Sequence, residues 1–212
     1  DMAIPVLIIG KSGSGKSTSL RNCTNNPEWN MVNVLNKPLP FKGKIPSVVT
    51  DDYQQVMKSL AGSKAKSIVV DDAGYLITNY FMKNHSSKGA GNAIFSMYNT
   101  LADNFWNLIE FIKKLPDDKI VYIIMHEDIN DFGDIKPKTI GKMLDEKICL
   151  EGMFTIVLRC VQENGKHLFI TQADGGAVSK SPMGMFETLE IDNDLALVDK
   201  AIREYYSESE EK

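Results

Sequence analysis

From Ala3 to Ile9 the chain is apolar at nearly every position and rich in Ile and Val, the pattern of a strand buried on both faces of a parallel sheet. A glycine-rich turn follows at once, and Lys16 to about Asn22 is expected to be helical before the polar stretch Asn25, Asn26 and Pro27. Met31 to Leu35 predicts a second strand. Lys37 to Pro46, with three prolines and a glycine, predicts an extended surface segment. Asp51 or Asp52 caps a predicted helix to about Leu60 whose face carries Val56, Met57 and Leu60. Ser67 to Val70 then reads as a buried strand ending in two acids.

Asn84 to Asn92, with Gly89 and Gly91 among Ser and Lys, predicts a mobile loop that serves as a lid or binding loop between two helical stretches. From Ile94 to Leu115 the apolar positions Phe95, Tyr98, Leu101, Phe105, Leu108, Ile109 and Ile112 keep a helical spacing, which Pro116 ends. Ile120 to Met125 is a further apolar strand, expected to stop at His126, Glu127 and Asp128. A lysine-bearing loop from Gly133 to Lys147 follows. Phe154 to Val161 and His167 to Thr171 then flank Asn164-Gly165 as a C-terminal antiparallel hairpin. Asp192 to Tyr206 closes the chain as a helix, and the acidic tail from Ser207 to Lys212 is expected to fray.

Strands alternating with helices give an α/β fold, a mostly parallel sheet flanked by helices, in one domain from residue 2 to 206. Ligands are expected beyond the C-terminal strand ends. Asp1, ahead of Met2, reads as an expression remnant and is set apart from the fold.

Composition changes this picture little. With 43% hydrophobic and 25% charged residues the chain can bury a core. No apolar run nears the roughly 20 residues that span a bilayer, and a signal sequence is lacking at the start, so a cytoplasmic protein is expected. Cys23, Cys149 and Cys160 show no C-x-x-C spacing and read as reduced thiols. A net charge of -4 argues against a globally basic, nucleic-acid-coating protein while leaving room for a local basic loop.

The sharpest chemical signal is Gly10-Lys11-Ser12-Gly13-Ser14-Gly15-Lys16-Ser17, a full G-x-x-x-x-G-K-[ST] phosphate loop between a predicted strand and helix. Its glycines let the backbone wrap phosphate oxygens, and N–H groups of the loop and helix start are aimed at them. Lys16 is expected at the β- and γ-phosphates of ATP, the Ser17 hydroxyl on Mg²⁺, and Thr18 at the α-phosphate. Ile68-Val69-Val70-Asp71 has the form of a Walker B strand that delivers Asp71 to the metal through water. Asp72 is the candidate water-activating acid and Glu127 its reserve, with His126 placed to sense the γ-phosphate. Lys136, Lys138 and Lys142 punctuate their loop as possible nucleic-acid contacts among Asp134, Asp145 and Glu146.

The phosphate loop, Lys37-Pro38-Leu39-Pro40-Phe41, Val69-Val70-Asp71-Asp72 and Val121-Tyr122-Ile123-Ile124-Met125-His126-Glu127 together resemble phage AAA-type nucleotide-binding proteins, over roughly Ala3 to Phe186. These are RecA-like P-loop ATPases that include Sak-type single-strand annealing and recombination proteins. The resemblance implies a RecA-like core, Mg²⁺-dependent ATP hydrolysis, single-stranded DNA binding and a role in phage DNA recombination or replication, in the host cytoplasm. It also implies that His126 matches a strand-end sensor and that a lysine such as Lys180 acts across a subunit interface of a homo-oligomer. Where RecA proteins place a catalytic glutamate after an earlier strand, this chain reads Asn36-Lys37-Pro38, so that acid has moved to Asp72 or hydrolysis is weak. Two other readings stay open. One is a small-molecule kinase, although the few arginines, Arg21, Arg159 and Arg203, do not cluster in a lid. The other is an assembly protein driven by ATP with little turnover.

Overall fold

The computed structural model describes residues 2–173 and 175–209. The first apolar run is β1 (Ile4–Gly10), and its alternate residues enter two different layers: Leu7 and Ile9 one, Val6 and Ile8 the other. The same division recurs in the neighbouring strands, which is why they read as continuous apolar runs. β2 (Trp29–Asn33), β3 (Ser47–Val49), β4 (Ser67–Asp71), β5 (Ile120–Ile129), β6 (Ile135–Pro137), β7 (Ile156–Glu163), β8 (Lys166–Ile170) and β9 (Glu190–Asp192) complete a nine-stranded sheet. Its order is β3-β2-β4-β5-β1-β7-β8-β9, with β6 pairing β5 off that path. Pairing is parallel from β3 to β7, while β8, β9 and β6 join antiparallel. The result is a mixed α/β, mostly parallel sheet consistent with a P-loop NTPase core.

One face is covered by α1 (Tyr53–Gly62), α2 (Gly74–Asn84) and α3 (Asn92–Lys113). Asp52 caps α1 by accepting from the Gln55 N–H at 2.9 Å, which satisfies one of the helix's orphan donors. In α3, Leu101, Phe105, Leu108, Ile109 and Ile112 are buried as their spacing predicts. Phe95 is instead 55% exposed, and the buried face of the helix begins at Met97. The other face is covered by α5 (Leu195–Ser209), with Leu195, Val198 and Ile202 buried against Val6, Ile8 and Tyr122.

Several local expectations are corrected. The segment after the phosphate loop forms only a four-residue 3-10 turn, Ser17–Leu20, because Asn22, Thr24 and Asn25 follow it and Asn25 adopts φ 54. β2 begins at Trp29, two residues before the expected start, and Trp29 stacks on Tyr122 with centroids 5.6 Å apart. β5 does not stop at His126 but runs on to Ile129, because β6 pairs with Glu127, Asp128 and Ile129. Gly133–Lys147 is therefore structured, holding β6 and the short α4 (Lys142–Asp145). Between α2 and α3, a 3-10 turn at His85–Ser87 interrupts the expected loop. β7 and β8 meet at Asn164 and Gly165, both at positive φ (50° and 75°), the geometry of a tight two-residue turn. α5 continues through Ser209, past the point where fraying was expected, and residues 210–212 lie outside the described residues. No helix among the described residues is long and apolar enough to cross a membrane.

A polar knot fastens α5 to the sheet at the end away from the phosphate loop. Asp199 accepts from Tyr122 Oη and Ser67 Oγ, each at 2.7 Å, and from Arg203 Nε at 2.9 Å. Arg203 also donates to the carbonyls of Asp118 and Lys66. Burial and the adjacent Asp199 carboxylate push the Tyr122 hydroxyl well above its ordinary pKa, so it is a fixed donor. Asp199→Ala should cost about 2–4 kcal/mol, since it leaves the buried Tyr122 hydroxyl without its acceptor and Arg203 without its carboxylate. Thermal unfolding should show a midpoint lower by roughly 5–15 °C; an unchanged midpoint would show that the knot adds no net stability.

Candidate functional site

Gly10 ends β1 with His126 of β5 on one side and Cys160 of β7 on the other. A Cβ there would lie 2.5 Å from Ser14 Oγ and 2.8 Å from the Cys160 carbonyl, so only glycine lets the loop fold back over the strand end. At Gly15 the φ of 104° and a Cβ position 2.7 Å from His167 Nδ1 exclude a side chain twice over.

The loop is clamped from outside by residues far along the chain. His167 Nδ1 lies 2.6 Å from the Ser14 carbonyl, which can only accept, so that nitrogen carries the proton. Cys160 Sγ also donates to this carbonyl at 3.2 Å, and burial pushes the thiol up to about 11, keeping it protonated. Asn193 Nδ2 donates to the Gly15 carbonyl at 3.1 Å, and Arg21 donates to the Asn193 carbonyl and, at 3.2 Å, to its Oδ1. In a planar trans peptide the N–H points opposite the C=O. Holding the Ser14 and Gly15 carbonyls outward therefore turns the N–H groups of Gly15 and Lys16 into the concavity, where an anion is cradled.

Lys16 is 7% exposed and bends back on the loop, donating to the carbonyls of Gly10 at 3.0 Å and Lys11 at 2.7 Å. Burial lowers its pKa, opposed by Cys160, Asp72, Asp71 and Glu127. Ser17 Oγ donates toward both oxygens of Asp71 at 3.2 Å. These two residues, 54 positions apart, thus meet as the sequence motifs require. Asp71 is buried, and desolvation followed by the neighbouring Asp72 charge raises its pKa to about 6. A hydroxyl beside a carboxylate, both oxygen donors, fits a hard divalent cation such as Mg²⁺. Among the described residues no cluster of three or more acidic, His or Cys side chains forms a metal cage, so such an ion would need phosphate and water oxygens as its remaining ligands.

Asp72 adopts φ 56, a left-handed conformation uncommon for a non-glycine residue, and is 6% exposed. The Ala73 N–H bonds to the Ile124 carbonyl at 2.8 Å, anchoring the turn to β5. Lys37 Nζ lies 3.1 Å from Asp72 Oδ2 and His126 Nε2 lies 3.8 Å from Oδ1. Because β5 sits between β1 and β4, His126 at its edge separates the phosphate loop from the acids. Burial lowers the pKa of His126, helped by Lys16, Lys37 and Lys138 and opposed by Asp72, so the ring is neutral at pH 7.

The remaining candidates are distributed differently. Glu127 has both oxygens bound by Arg159, at 2.8 and 3.0 Å, in a bidentate pair beside a cavity of about 360 Å³ lined by Lys11 to Ser14. Lys136 lies 3.9 Å from Glu151 and Lys142 lies 2.7 Å from Asp131, while the Lys138 N–H bonds to the His126 carbonyl at 2.8 Å. Lys180 exchanges backbone hydrogen bonds with Val157, three residues before Cys160 and therefore roughly 10 Å below the loop at about 3.3 Å per residue. Lys37, Arg159, His167 and Asn193 were not foreseen as site residues. Only a histidine beside the Asn-Gly turn was a visible cue.

A comparison with protein-family models matches residues 2–183 to the AAA domain family. The chain belongs to that family, an AAA-type P-loop ATPase family. None of the curated proteins matches it.

The raised pKa of Asp71 makes a stability prediction. Its folded value near 6 exceeds the ordinary 3.8, so the folded state holds this proton more tightly and ionisation costs stability as pH rises from about 4 to 6. At neutral pH the cost is on the order of 3 kcal/mol. Asp71→Asn, free of nucleotide, should melt higher than the parent at pH 7.5, with the gap closing as pH falls toward 4. The same substitution should abolish any extra stabilisation that Mg²⁺ adds to nucleotide. Equal melting at both pH values would show that the carboxylate is not under this strain.

Proposed function

We propose that this AAA domain protein is a Mg²⁺-dependent ATP hydrolase that binds single-stranded DNA in a nucleotide-dependent way during phage DNA recombination or replication. Backbone N–H groups from Gly13 to Thr18 hold phosphate oxygens, and Lys16 exchanges a loop carbonyl for the β- and γ-phosphates. Ser17, and Asp71 through water, hold Mg²⁺, which when bound neutralises phosphate charge. Asp72 takes the proton of a water whose oxygen bonds to the terminal phosphorus while the bond to the bridging oxygen breaks, giving ADP and inorganic phosphate. Glu127, committed to Arg159, serves to hold β5 and β7 in register at the loop rather than to activate water.

The observation that carries the DNA part of the reading is the continuity of β5. One strand runs from His126, beside Asp72, to Ile129, and leads into Phe132, which is 91% exposed at the turn to β6. Lys138, on the returning chain, is hydrogen-bonded to His126 itself. A shift of His126 on phosphate loss thereby reaches a hairpin that carries Lys138 at its base, Lys136 along its return strand, Lys142 paired with Asp131 near its turn and Phe132 at its tip. Together these groups can stack a base and track a phosphate backbone. We further propose that the protein self-associates with ATP, with Lys180 facing a neighbouring subunit; light scattering with and without nucleotide tests this.

Steady-state hydrolysis should be stimulated by single-stranded DNA, abolished in Lys16→Ala and reduced at least 100-fold in Asp72→Asn. Phe132→Ala should weaken DNA binding by about 1–3 kcal/mol, and alanine at Lys136, Lys138 and Lys142 should also flatten its salt dependence. Hydrolysis without DNA stimulation or binding would replace this reading with ATP-driven assembly. Efficient phosphorylation of a small acceptor would replace it with a kinase.

A further inference from the structure

Lys37 enters the site for a structural reason that its sequence position hides. Asn33, the last residue of β2, lies in register with Asp71 of β4. Its side chain clamps the turn that follows: Nδ2 donates to the Lys37 carbonyl at 2.7 Å, and Oδ1 accepts the Lys37 N–H at 3.2 Å. Asn36 adopts φ 54 inside this turn. The backbone of Lys37 is thereby fixed at the edge of the acidic pair, while its side chain stays 56% exposed. A rigid base and a free stem suit a side chain that moves between two partners.

One partner is Asp72, at 3.1 Å. The other follows from what the space in front of Asp72 contains. Lys37 lies 3.1 Å and His126 3.8 Å from Asp72, and His126 is in register with Gly10, whose carbonyl accepts from Lys16. These donors converge where the outermost phosphate of a nucleotide on the Gly10–Thr18 loop would meet Asp72. Arginine does not supply this charge among the described residues. Arg21 is committed to Asn193, Arg159 to Glu127 and Arg203 to Asp199.

We infer that Lys37 is the residue that recognises the terminal phosphate of the bound nucleotide, leaving Asp72 for that phosphate and so releasing the carboxylate to face water. This rests on the ATPase reading above. Without the terminal phosphate, Lys37 returns to Asp72 and neutralises it, so a diphosphate gains nothing from Lys37 and the acid is quenched. The residue would thus set triphosphate over diphosphate preference and couple that choice to activation of the acid.

The test is calorimetric binding of Mg-ATP and Mg-ADP to the parent protein, Lys37→Met, Asp72→Asn, the double variant and Lys16→Ala. The parent should prefer ATP. Lys37→Met should shrink that preference tenfold or more while leaving ADP affinity within about twofold. Asp72→Asn, which removes the competing partner, should tighten ATP several-fold, and the double variant should lose that gain. Should Lys37→Met leave the buried Asp72 uncompensated and unstable, the double variant against Asp72→Asn gives the same comparison without the buried charge. An ATP to ADP ratio unchanged by loss of Lys37 in both backgrounds overturns the inference while the phosphate site stands. Failure of the parent to bind either nucleotide, or undiminished binding in Lys16→Ala, overturns the phosphate-site reading itself and the inference with it.

Discussion

Two adjacent carboxylates at the end of a strand buried on both faces are the constraint around which this molecule is arranged. Asp71 and Asp72 lose water on entering the fold, and burial together with the adjacent Asp72 charge makes Asp71 harder to ionise. Positive charge must therefore be brought to them, and the protein brings it from two directions: Lys16 across β5 from the phosphate loop, and Lys37 from the end of β2. The strand order makes both possible. With β5 interposed between β1 and β4, the loop stands one strand away from the acids, and the gap is bridged by His126 and by the Ser17 hydroxyl.

The phosphate loop depends equally on groups that are remote in sequence. Its concavity is a matter of peptide orientation, and that orientation is imposed by His167, Cys160 and Asn193 on the carbonyls of Ser14 and Gly15. The β7–β8 pair and the start of α5 thus extend the sheet and also form the outer wall of the loop. This explains why the helix expected after Lys16 is so short. Arg21 and Asn22, just past the 3-10 turn, are drawn to Asn193 and Asp194, at the start of α5, so the chain turns outward there instead of coiling further.

Much of this was legible from the sequence because it depends on local chemistry. Alternation of Leu7 and Ile9 against Val6 and Ile8 needs no tertiary information, and the loop motif names Gly10 and Gly15 directly, although Cys160 and His167, which crowd out a side chain there, come from far along the chain. The meeting of Ser17 with Asp71 was also anticipated, since a phosphate loop and an apolar strand ending in an acid imply each other. What escaped was pairwise and long-range. Lys37 reaches Asp72 only through the Asn33 clamp, and Arg159 meets Glu127 only because β5 and β7 flank β1. The extension of β5 beyond His126 was missed for the same reason. Glu127 and Asp128 are polar, and the strand continues there because β6 pairs with it, not because its own side chains favour burial.

That extension bears on how a local chemical event becomes mechanical. A residue at a free strand end can move without consequence, whereas His126 is held within a strand whose next three residues are paired to β6 and whose carbonyl accepts from Lys138. Displacement of its ring must be absorbed by the hairpin or resisted by it. At the far end Ile129 and Phe132 expose their side chains, while Asn130 ties the turn together by accepting from the Phe132 and Asp134 N–H groups. The buried acids and the exposed tip thus lie at opposite ends of one path, from Asp72 through His126 along β5 to Phe132.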